Sequence, residues 1–320
     1  MRILSFLIIS VLLSSCSDNI PDDIDLREEM REFVIGISEY AKAFDDSFMV
    51  IPQNGIELVS VNGESDGPVH TNYLAAIDGH GQEDLFYGYD KDDEISPADE
   101  NEYLLSFLDV SMAQGNTILV TDYCSTHSKM DDSYTRNQMA GYVSFAADER
   151  ELDRIPAYPN PIFGENDAEI QDLEDIQNFL YLINPGNFDT KADIIQAVTS
   201  SNYDLLIMDL FFNDNSEFSN EEIGQLKSKA NGGTRLVVAY MSIGEAEDYR
   251  YYWQDNWKKN PPSWLDDENP DWEGNFKVLY WEEEWQAIIS GSIESYLGKI
   301  LDAGFDGVYL DIIDAYEYYE

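Results

Sequence analysis

Two aspartates follow the last apolar run of the chain. The segment GFDGVYLDIIDAYEYYE, residues 304–320, opens with a Gly-Phe-Asp-Gly turn and continues into a β-branched, apolar run at 308–313. This pattern predicts a buried strand, with Asp311 and Asp314 at its C-terminal end. Because α/β enzymes carry their active sites at the carboxyl ends of parallel strands, these two carboxylates are candidates for catalysis.

Further acidic residues fall at or near the ends of other apolar runs, namely Asp122, Asp209 and Glu245. Hydrogen bonding within loops is the alternative role for each of them. The three histidines are scattered without metal-site spacing, and the acidic stretch at 90–93 lacks the glycine and downstream glutamate of a calcium loop. We therefore expect neither a metal nor another cofactor.

Predicted strands and helices alternate along most of the chain. Strands are expected at 48–52, 73–77, 117–123, 141–146, 179–184, 204–210, 235–243 and 308–313. Helices are expected at 25–44, 100–113, 133–139, 149–155, 190–200, 220–230 and 282–303. A proline-rich, then acidic stretch at 156–178 predicts a linker, and residues 249–281 form an aromatic-rich insert.

About eight strand–helix units predict a (β/α)8 TIM barrel, formed as one domain by residues 25–320. An open doubly wound sheet is the alternative, but no glycine-rich phosphate loop opens any predicted helix. A parallel strand normally feeds a crossover helix and another strand, yet here the strand at 308–313 is the last predicted element. The position of its neighbours in the sheet is therefore an open question for the sequence.

The composition restricts the class of partner. The chain has 18 basic and 64 acidic residues, a net charge of −46, and its 43% apolar content is sufficient for a sizeable core. Nucleic acid and anionic membrane surfaces are poor partners for such a chain. The charge either serves solubility alone or favours a cationic polymer, and we expect a monomer.

The N-terminus predicts export. Arg2 precedes an apolar run at 3–13 that is too short to span a bilayer, and the following Leu-Ser-Ser-Cys resembles a bacterial lipobox. We therefore expect a signal peptide at 1–15, a lipid on Cys16 and a tether at 16–24, with the protein anchored to the outer membrane and either periplasmic or surface-exposed. Cys124 would then have no partner and is predicted to be a small core residue.

Eight segments of the chain stand out as motifs. They are YMSIGEAEDYRYYW (240–253), VLYWEEEW (278–285), GFDGVYLDIIDAYEYY (304–319) and, in the N-terminal half, EYAKAF, VIPQNGIEL, AIDGHGQEDLFYGYD, ILVTDYCS and ELDRI. Together these segments resemble the glycoside hydrolase family of endo-α-1,4-polygalactosaminidases. Some family members carry a cysteinyl-tRNA-synthetase-related label, but nothing in this sequence resembles a synthetase site. The resemblance covers most of the chain that follows the tether.

The order of these segments differs from that of the family. Its members usually begin with segments like 179–320 and continue with segments like 25–155. The chain therefore resembles a circular permutant in which residues 156–178 join the family's usual termini. If so, the strand at 308–313 pairs in parallel with 48–52, and the strand at 179–184 lies beside 141–146.

The resemblance also implies a catalytic pair. It places an aspartate at Asp311, as nucleophile or stabiliser, and a glutamate at Glu57, as acid/base, although the two roles could be exchanged. A ring of carboxylates suits amino sugars, whose ammonium groups need partners. The predicted substrate-binding residues are Asn54, Asp122, Asp209, Tyr240, Glu245, Trp281, Asp314 and Tyr316.

The predicted function is hydrolysis of a polysaccharide at the cell surface, by endo-action on an α-1,4-linked galactosamine-containing chain. A glycosidase with a different sugar specificity is one alternative. A surface lipoprotein that binds glycans without cutting them is the other.

Overall fold

The computed structural model describes residue 21 and residues 24–320. The predicted signal peptide, the lipidation site Cys16 and nearly all of the tether lie outside the described residues. None of the helices within 24–320 has the length and apolarity that crossing a membrane requires.

Eleven strands and eight α-helices are found in residues 24–320. The strands are β1 (Met49–Pro52), β2 (Gly79–Glu83), β3 (Thr117–Tyr123), β4 (Val143–Ala147), β5 (Phe179–Leu182), β6 (Leu205–Asp209), β7 (Leu236–Ser242), β8 (Glu245–Glu247), β9 (Leu265–Glu268), β10 (Asn275–Val278) and β11 (Gly307–Asp311). The helices are α1 (Leu26–Lys42), α2 (Thr71–Ala76), α3 (Ala98–Ala113), α4 (His127–Ala140), α5 (Lys191–Thr199), α6 (Asn220–Leu226), α7 (Glu283–Ile289) and α8 (Tyr296–Ala303).

Eight of these strands form two parallel sheets. One sheet has the order β5-β6-β7-β11-β1, and the other has the order β2-β3-β4. A single parallel bridge between Gln53 and Gly81 joins β1 to β2, whereas β4 and β5 are in contact without a hydrogen-bonded ladder. The described residues thus form an α/β fold with parallel sheets, but the predicted closed barrel is not seen as one continuous ladder.

The predicted neighbours of the last strand are confirmed. β11 pairs in parallel with β1, in the register Met49 to Gly307 through Pro52 to Leu310. The strand at 179–182 contacts the strand at 143–147, as expected, although no ladder connects them. Helix α1 packs against both α2 and α8, and Arg27 in its first turn forms a 2.8 Å ion pair with Glu320.

One predicted strand was wrong. Residues 71–76 form helix α2, and the strand is Gly79–Glu83, a segment without aliphatic side chains. Its burial comes from the tertiary structure, because a Cβ added at Gly81 would lie 2.0 Å from the hydroxyl of Tyr309 on β11. The glycine leaves the space that the buried Tyr309 ring occupies.

Two predicted helices also differ. The helix expected at 282–303 is divided into α7 and α8, because Gly291 adopts a positive φ of 98° between two serines and breaks the helix. The helix expected at 149–155 is absent from this described stretch, where Leu152 has a φ of 49° and the chain forms turns.

The linker packs against the amino-terminal ends of β6 and β7. A buried ion pair between Lys229 and Asp204, at 2.8 Å, is completed by the linker residue Asn166. The Asn166 side-chain amide donates to Asp204 at 2.7 Å, and its backbone carbonyl accepts from Lys229 at 3.1 Å. The linker thereby satisfies polar groups that would otherwise be buried without partners.

The aromatic insert contains most of a small sheet that follows β7 in the chain. Strands β8, β10 and β9 make an antiparallel sheet, which was not predicted. Below it Trp257, Trp264 and Trp285 form a chain of aromatic contacts with ring centroids 5.0 Å apart at each step. This packing fixes the insert over the carboxyl end of the parallel sheet.

Candidate active site

A cavity of about 350 Å³ opens where the parallel strands end. Strands β2, β3, β5, β6, β7 and β11 and the residues directly after β1 contribute to its floor, and the insert forms one wall. Its lining is rich in carboxylates: Glu83, Glu151, Asp209, Glu247, Glu273, Asp311 and Asp314. The two arginines in the lining are Arg150 and Arg250. The cavity is therefore strongly acidic.

Asp311 lies at the centre of the floor, at the end of β11. One of its oxygens accepts a hydrogen bond from the Tyr240 hydroxyl at 2.5 Å. The other accepts from Gln53 Nε2 at 3.0 Å and from the backbone N–H of Ile312 at 2.9 Å. Burial raises the pKa of Asp311 to about 6, although the hydrogen bond from Tyr240 opposes this effect.

Glu83 lies at the end of β2 and faces Asp311. Its Oε2 accepts from the same Gln53 Nε2 at 2.8 Å, and its Oε1 accepts from the Tyr123 hydroxyl. Since one nitrogen contacts both carboxylates, the two accepting oxygens lie no more than about 6 Å apart. Burial, followed by the charge of Asp311, raises the pKa of Glu83 to about 7.

The orientation of the Gln53 amide is set by a third contact. Its Oε1 accepts a hydrogen bond from the Tyr181 hydroxyl at 3.1 Å, which leaves the amide nitrogen to face the two carboxylates. Tyr181 is buried on β5 and packs edge-on against Tyr309. Tyr181, packed on Tyr309, thus orients the Gln53 amide that donates to Asp311 and Glu83.

Asp314 adds a third acidic group with a raised pKa. It follows β11 and lines the cavity beside Asp311. Burial, followed by the charges of Asp311 and Glu317, raises the pKa of Asp314 to about 8. Because three carboxylates with raised pKa values share one cavity, the site holds protons at neutral pH.

Arg250 neutralises another part of the lining. It pairs with Asp209 at 2.7 Å and with Glu247 at 2.5 Å, and all three side chains are almost fully buried. The Tyr249 hydroxyl also donates to Glu247. Asp209, predicted to bind substrate, is therefore in the cavity but already has a charged partner.

The structure brings five of the ten predicted site residues into the cavity lining, namely Asn54, Asp209, Tyr240, Asp311 and Asp314. Asn54, with a positive φ of 60°, accepts the backbone N–H of Glu83 through its side-chain oxygen at 3.1 Å. Its amide nitrogen also lies 3.3 Å from Glu83 Oε2. Asn54 thus positions Glu83 within the site.

Glu57, predicted as the acid/base, does not line this cavity. Its two oxygens accept from the hydroxyls of Tyr103, at 2.5 Å, and Tyr316, at 2.8 Å. The left-handed backbone at Asn54 and Gly55 turns the chain away after β1, so Glu57 lies in a 3-10 helix to one side. Tyr316, the other predicted member of this contact, is likewise outside the cavity lining.

Three further predicted residues lie outside the cavity lining. Asp122 is fully buried and accepts the backbone N–H groups of Phe86 and Tyr87, at 2.8 and 3.2 Å. Glu245 is buried beneath the insert, where it accepts from Asn269 and Tyr318. Trp281 packs edge-on against two tyrosines at the side of the insert, Tyr280 and Tyr319.

The cavity lining also contains Gln53, Glu83, Glu247 and Arg250, which were not predicted from the sequence. Glu83 ends a strand just as Asp311 does, so the same signal applied to it. Glu83 was not recognised as a strand end, because the strand was expected at 73–77. Gln53 follows β1 directly, in the VIPQNG segment whose glutamate was favoured instead.

The sequence matches a known enzyme family over its C-terminal part. Residues 179–320 match the sequence model of Glycoside-hydrolase family GH114. The chain is 48% identical over 127 residues to the uncharacterized protein MJ1477 of Methanocaldococcus jannaschii, which is 39% of this chain and 34% of that protein. It is 41% identical over 128 residues to an uncharacterized protein of Thermotoga maritima, covering 40% of this chain and 38% of the relative.

A third relative is an uncharacterized protein of Deinococcus radiodurans, 42% identical over 123 residues, or 38% of this chain and 37% of that protein. The matched part of the chain therefore spans little more than a third of each of these relatives. The matched family segment supplies β5, β6, β7 and β11, and with them Asp209, Tyr240 and Asp311. Residues 179–320 are thus a segment of the GH114 type, which supports a glycoside hydrolase.

Proposed function

We propose that the protein is a retaining glycoside hydrolase in which Asp311 and Glu83 flank the bond to be cut. The observation that carries the proposal is the single Gln53 amide nitrogen that contacts both carboxylates. Retaining glycosidases hold their two carboxyl groups about 5–5.5 Å apart, whereas inverting enzymes separate them by about 6.5–9.5 Å. The limit of about 6 Å between the accepting oxygens favours the retaining class.

The two carboxyls differ in the way the roles require. Each carboxyl accepts three hydrogen bonds, but only Asp311 accepts one from the backbone, at the N–H of Ile312. Glu83 has the higher pKa, about 7 against about 6, so a larger fraction of Glu83 than of Asp311 is protonated at neutral pH. Asp311 is the nucleophile in this proposal, and Glu83 is the acid.

The reaction then takes two steps. Asp311 attacks the anomeric carbon while Glu83 gives its proton to the departing glycosidic oxygen, so a sugar ester on Asp311 and a free hydroxyl form. Glu83, now ionised, takes a proton from water as the water oxygen attacks the same carbon. The ester bond breaks, and both carboxyls return to their first state.

The substrate we propose is a galactosamine-containing polymer with α-1,4 linkages, cut by endo-action. The acidic cavity and the net charge of −46 both favour a chain that carries ammonium groups. Asp314 and Glu273 lie in the lining without a cationic partner among the ion pairs of residues 24–320. We assign Glu273 to the ammonium group of the amino sugar, and Asp314, which keeps its proton at neutral pH, to a hydrogen bond with the sugar.

We also propose that the fold is the family's TIM barrel in circularly permuted order. The parallel pairing of β11 with β1 supports it, as does the position of α1 between α2 and α8. In a barrel of the usual order, a helix following β11 would occupy the place that α1 takes. The two half-barrels would meet at the Gln53–Gly81 bridge and at the β4–β5 contact.

The location at the cell surface remains part of the proposal and is supported by the lipobox-like Leu-Ser-Ser-Cys. Metabolic labelling with palmitate would mark the protein, and Cys16→Ala would abolish the label. Labelling that persists in the variant would contradict the anchor.

The function is tested by incubating the domain that begins at residue 24 with partially deacetylated α-1,4-galactosaminoglycan and sizing the products. We expect a ladder of oligomers from the wild type and no products from Asp311→Asn. Products that retain the anomeric configuration in early NMR spectra support the pair. A wild type that binds the polymer without cutting it would instead show a glycan-binding protein.

A further inference from the structure

An exposed tryptophan stands at the mouth of the cavity. Trp272 is 56% exposed, whereas Trp257 and Trp264 in the same insert are at most 7% exposed. It lies in the turn between β9 and β10 and lines the same cavity as Asp311. Within residues 24–320 its ring packs against no other aromatic ring.

The turn that carries Trp272 is well held. The Asn269 side chain donates to the buried Glu245 at 2.7 Å, and the Asn275 side chain donates to the same carboxylate at 3.0 Å. Gly274 closes the turn with a positive φ of 90°, and its N–H donates to Glu268 at 2.8 Å. The indole is therefore presented on a fixed support.

Tyr249 is a second exposed aromatic residue in the cavity lining, on the segment that follows β8. Its hydroxyl donates to Glu247, and the Arg250 guanidinium lies 5.1 Å from the ring centroid. These contacts hold the ring in place while leaving it 49% exposed. Glu273, next to Trp272, adds a carboxylate to this side of the lining.

We propose that Trp272 and Tyr249 form an outer sugar-binding subsite, for a pyranose unit away from the bond that is cut. A sugar ring presents an apolar C–H face to an aromatic ring and polar groups at its edge, so an aromatic platform beside Glu273 matches an amino-sugar unit. The subsite rests on the proposed function for its ligand, because the ligand is a further unit of the same chain. Because of this subsite, KM is expected to depend on the length of the substrate chain.

The first test separates binding from chemistry in steady-state kinetics. With long galactosaminoglycan chains, Trp272→Ala is expected to raise KM about ten-fold and to change kcat less than two-fold, while Trp272→Phe keeps most of the affinity. With oligomers too short to reach from the bond that is cut to Trp272, the Trp272→Ala variant is expected to match the wild type in KM. The matched control is Phe44→Ala, which removes an aromatic residue that is 62% exposed outside the cavity lining.

The second test needs no turnover. In Asp311→Asn, galactosaminoglycan is expected to protect the exposed tryptophan from acrylamide quenching, and the protection is lost in Asp311→Asn/Trp272→Phe. Protection without cleavage by the wild type retains the subsite and overturns the proposed hydrolysis. Cleavage with unchanged KM in Trp272→Ala on long chains overturns the subsite alone, and a chain neither bound nor cut overturns both.

Discussion

Glu83 on β2 and Asp311 on β11 accept hydrogen bonds from the same nitrogen atom, although they lie on different sheets and far apart in the sequence. Gln53, the donor, stands at the single bridge that joins those sheets. The pair therefore depends on how β1 is placed between β2 and β11. Everything proposed for the chemistry rests on this placement.

Asp311→Asn is expected to lower kcat by several orders of magnitude and to leave the protein folded. The amide cannot act as nucleophile or stabilise positive charge at the anomeric carbon. Far-UV circular dichroism and the thermal transition control for folding. A variant that keeps wild-type turnover would show that Asp311 is not the nucleophile.

Glu83→Gln and Glu57→Gln distinguish the two candidate acids. The Glu83 variant is expected to lose activity by at least a hundred-fold on substrates with poor leaving groups, and much less on activated aryl glycosides. The Glu57 variant keeps one of the two oxygens that accept from Tyr103 and Tyr316 and should stay within a few-fold of wild type. The reverse order of the two losses would restore Glu57 as the acid.

The three cavity carboxyls make stability depend on pH. Unfolded, they ionise near pH 4; folded, Asp311, Glu83 and Asp314 hold protons to about pH 6, 7 and 8. The native state binds more protons in this window, so the free energy of unfolding falls as pH rises from about 4 to 8.

Asp314→Asn removes part of this dependence. Between pH 5 and pH 8 the variant should lose about 3–4 kcal/mol less of its unfolding free energy than the wild type. Urea unfolding at the two pH values measures the difference. Equal losses in both proteins would mean that Asp314 ionises normally in the folded state.

Binding of a cationic polymer should weaken with salt. Long-range attraction to the acidic cavity is screened over about 8–10 Å near physiological ionic strength, so affinity falls between low and high salt. Fully acetylated polymer, which lacks the ammonium groups, is the matched control and should show little change. Titration calorimetry of Asp311→Asn at several salt concentrations measures both, and parallel slopes would exclude charge recognition.

Gly81→Ala tests the contact between the two sheets. The added Cβ would lie 2.0 Å from the Tyr309 hydroxyl, so we expect a loss of about 1–3 kcal/mol of unfolding free energy. Tyr309→Leu makes room, and the double variant should be destabilised by less than the sum of the two single changes. Additive losses would show that the two residues do not meet.

The sequence alone determined those elements whose own residues show a regular helix or strand pattern. Helix α1 was evident from the three- and four-residue spacing of Met30, Phe33, Val34 and Ile37, which are all buried. β3 was predicted with its observed bounds because seven consecutive residues suit a strand. Asp311 was found because it ends such a run.

Only the tertiary structure decided that Glu83 is the partner of Asp311. β2 has no apolar side chains of its own, and it is a strand because Gly81 admits the Tyr309 ring of a distant strand. No local pattern records that contact, so the sequence placed the strand too early and passed over Glu83. The backbone turn at Asn54 and Gly55, which takes Glu57 away from the cavity, likewise follows from packing against Ile313, whose side chain lies 2.8 Å from a Cβ built at Gly55.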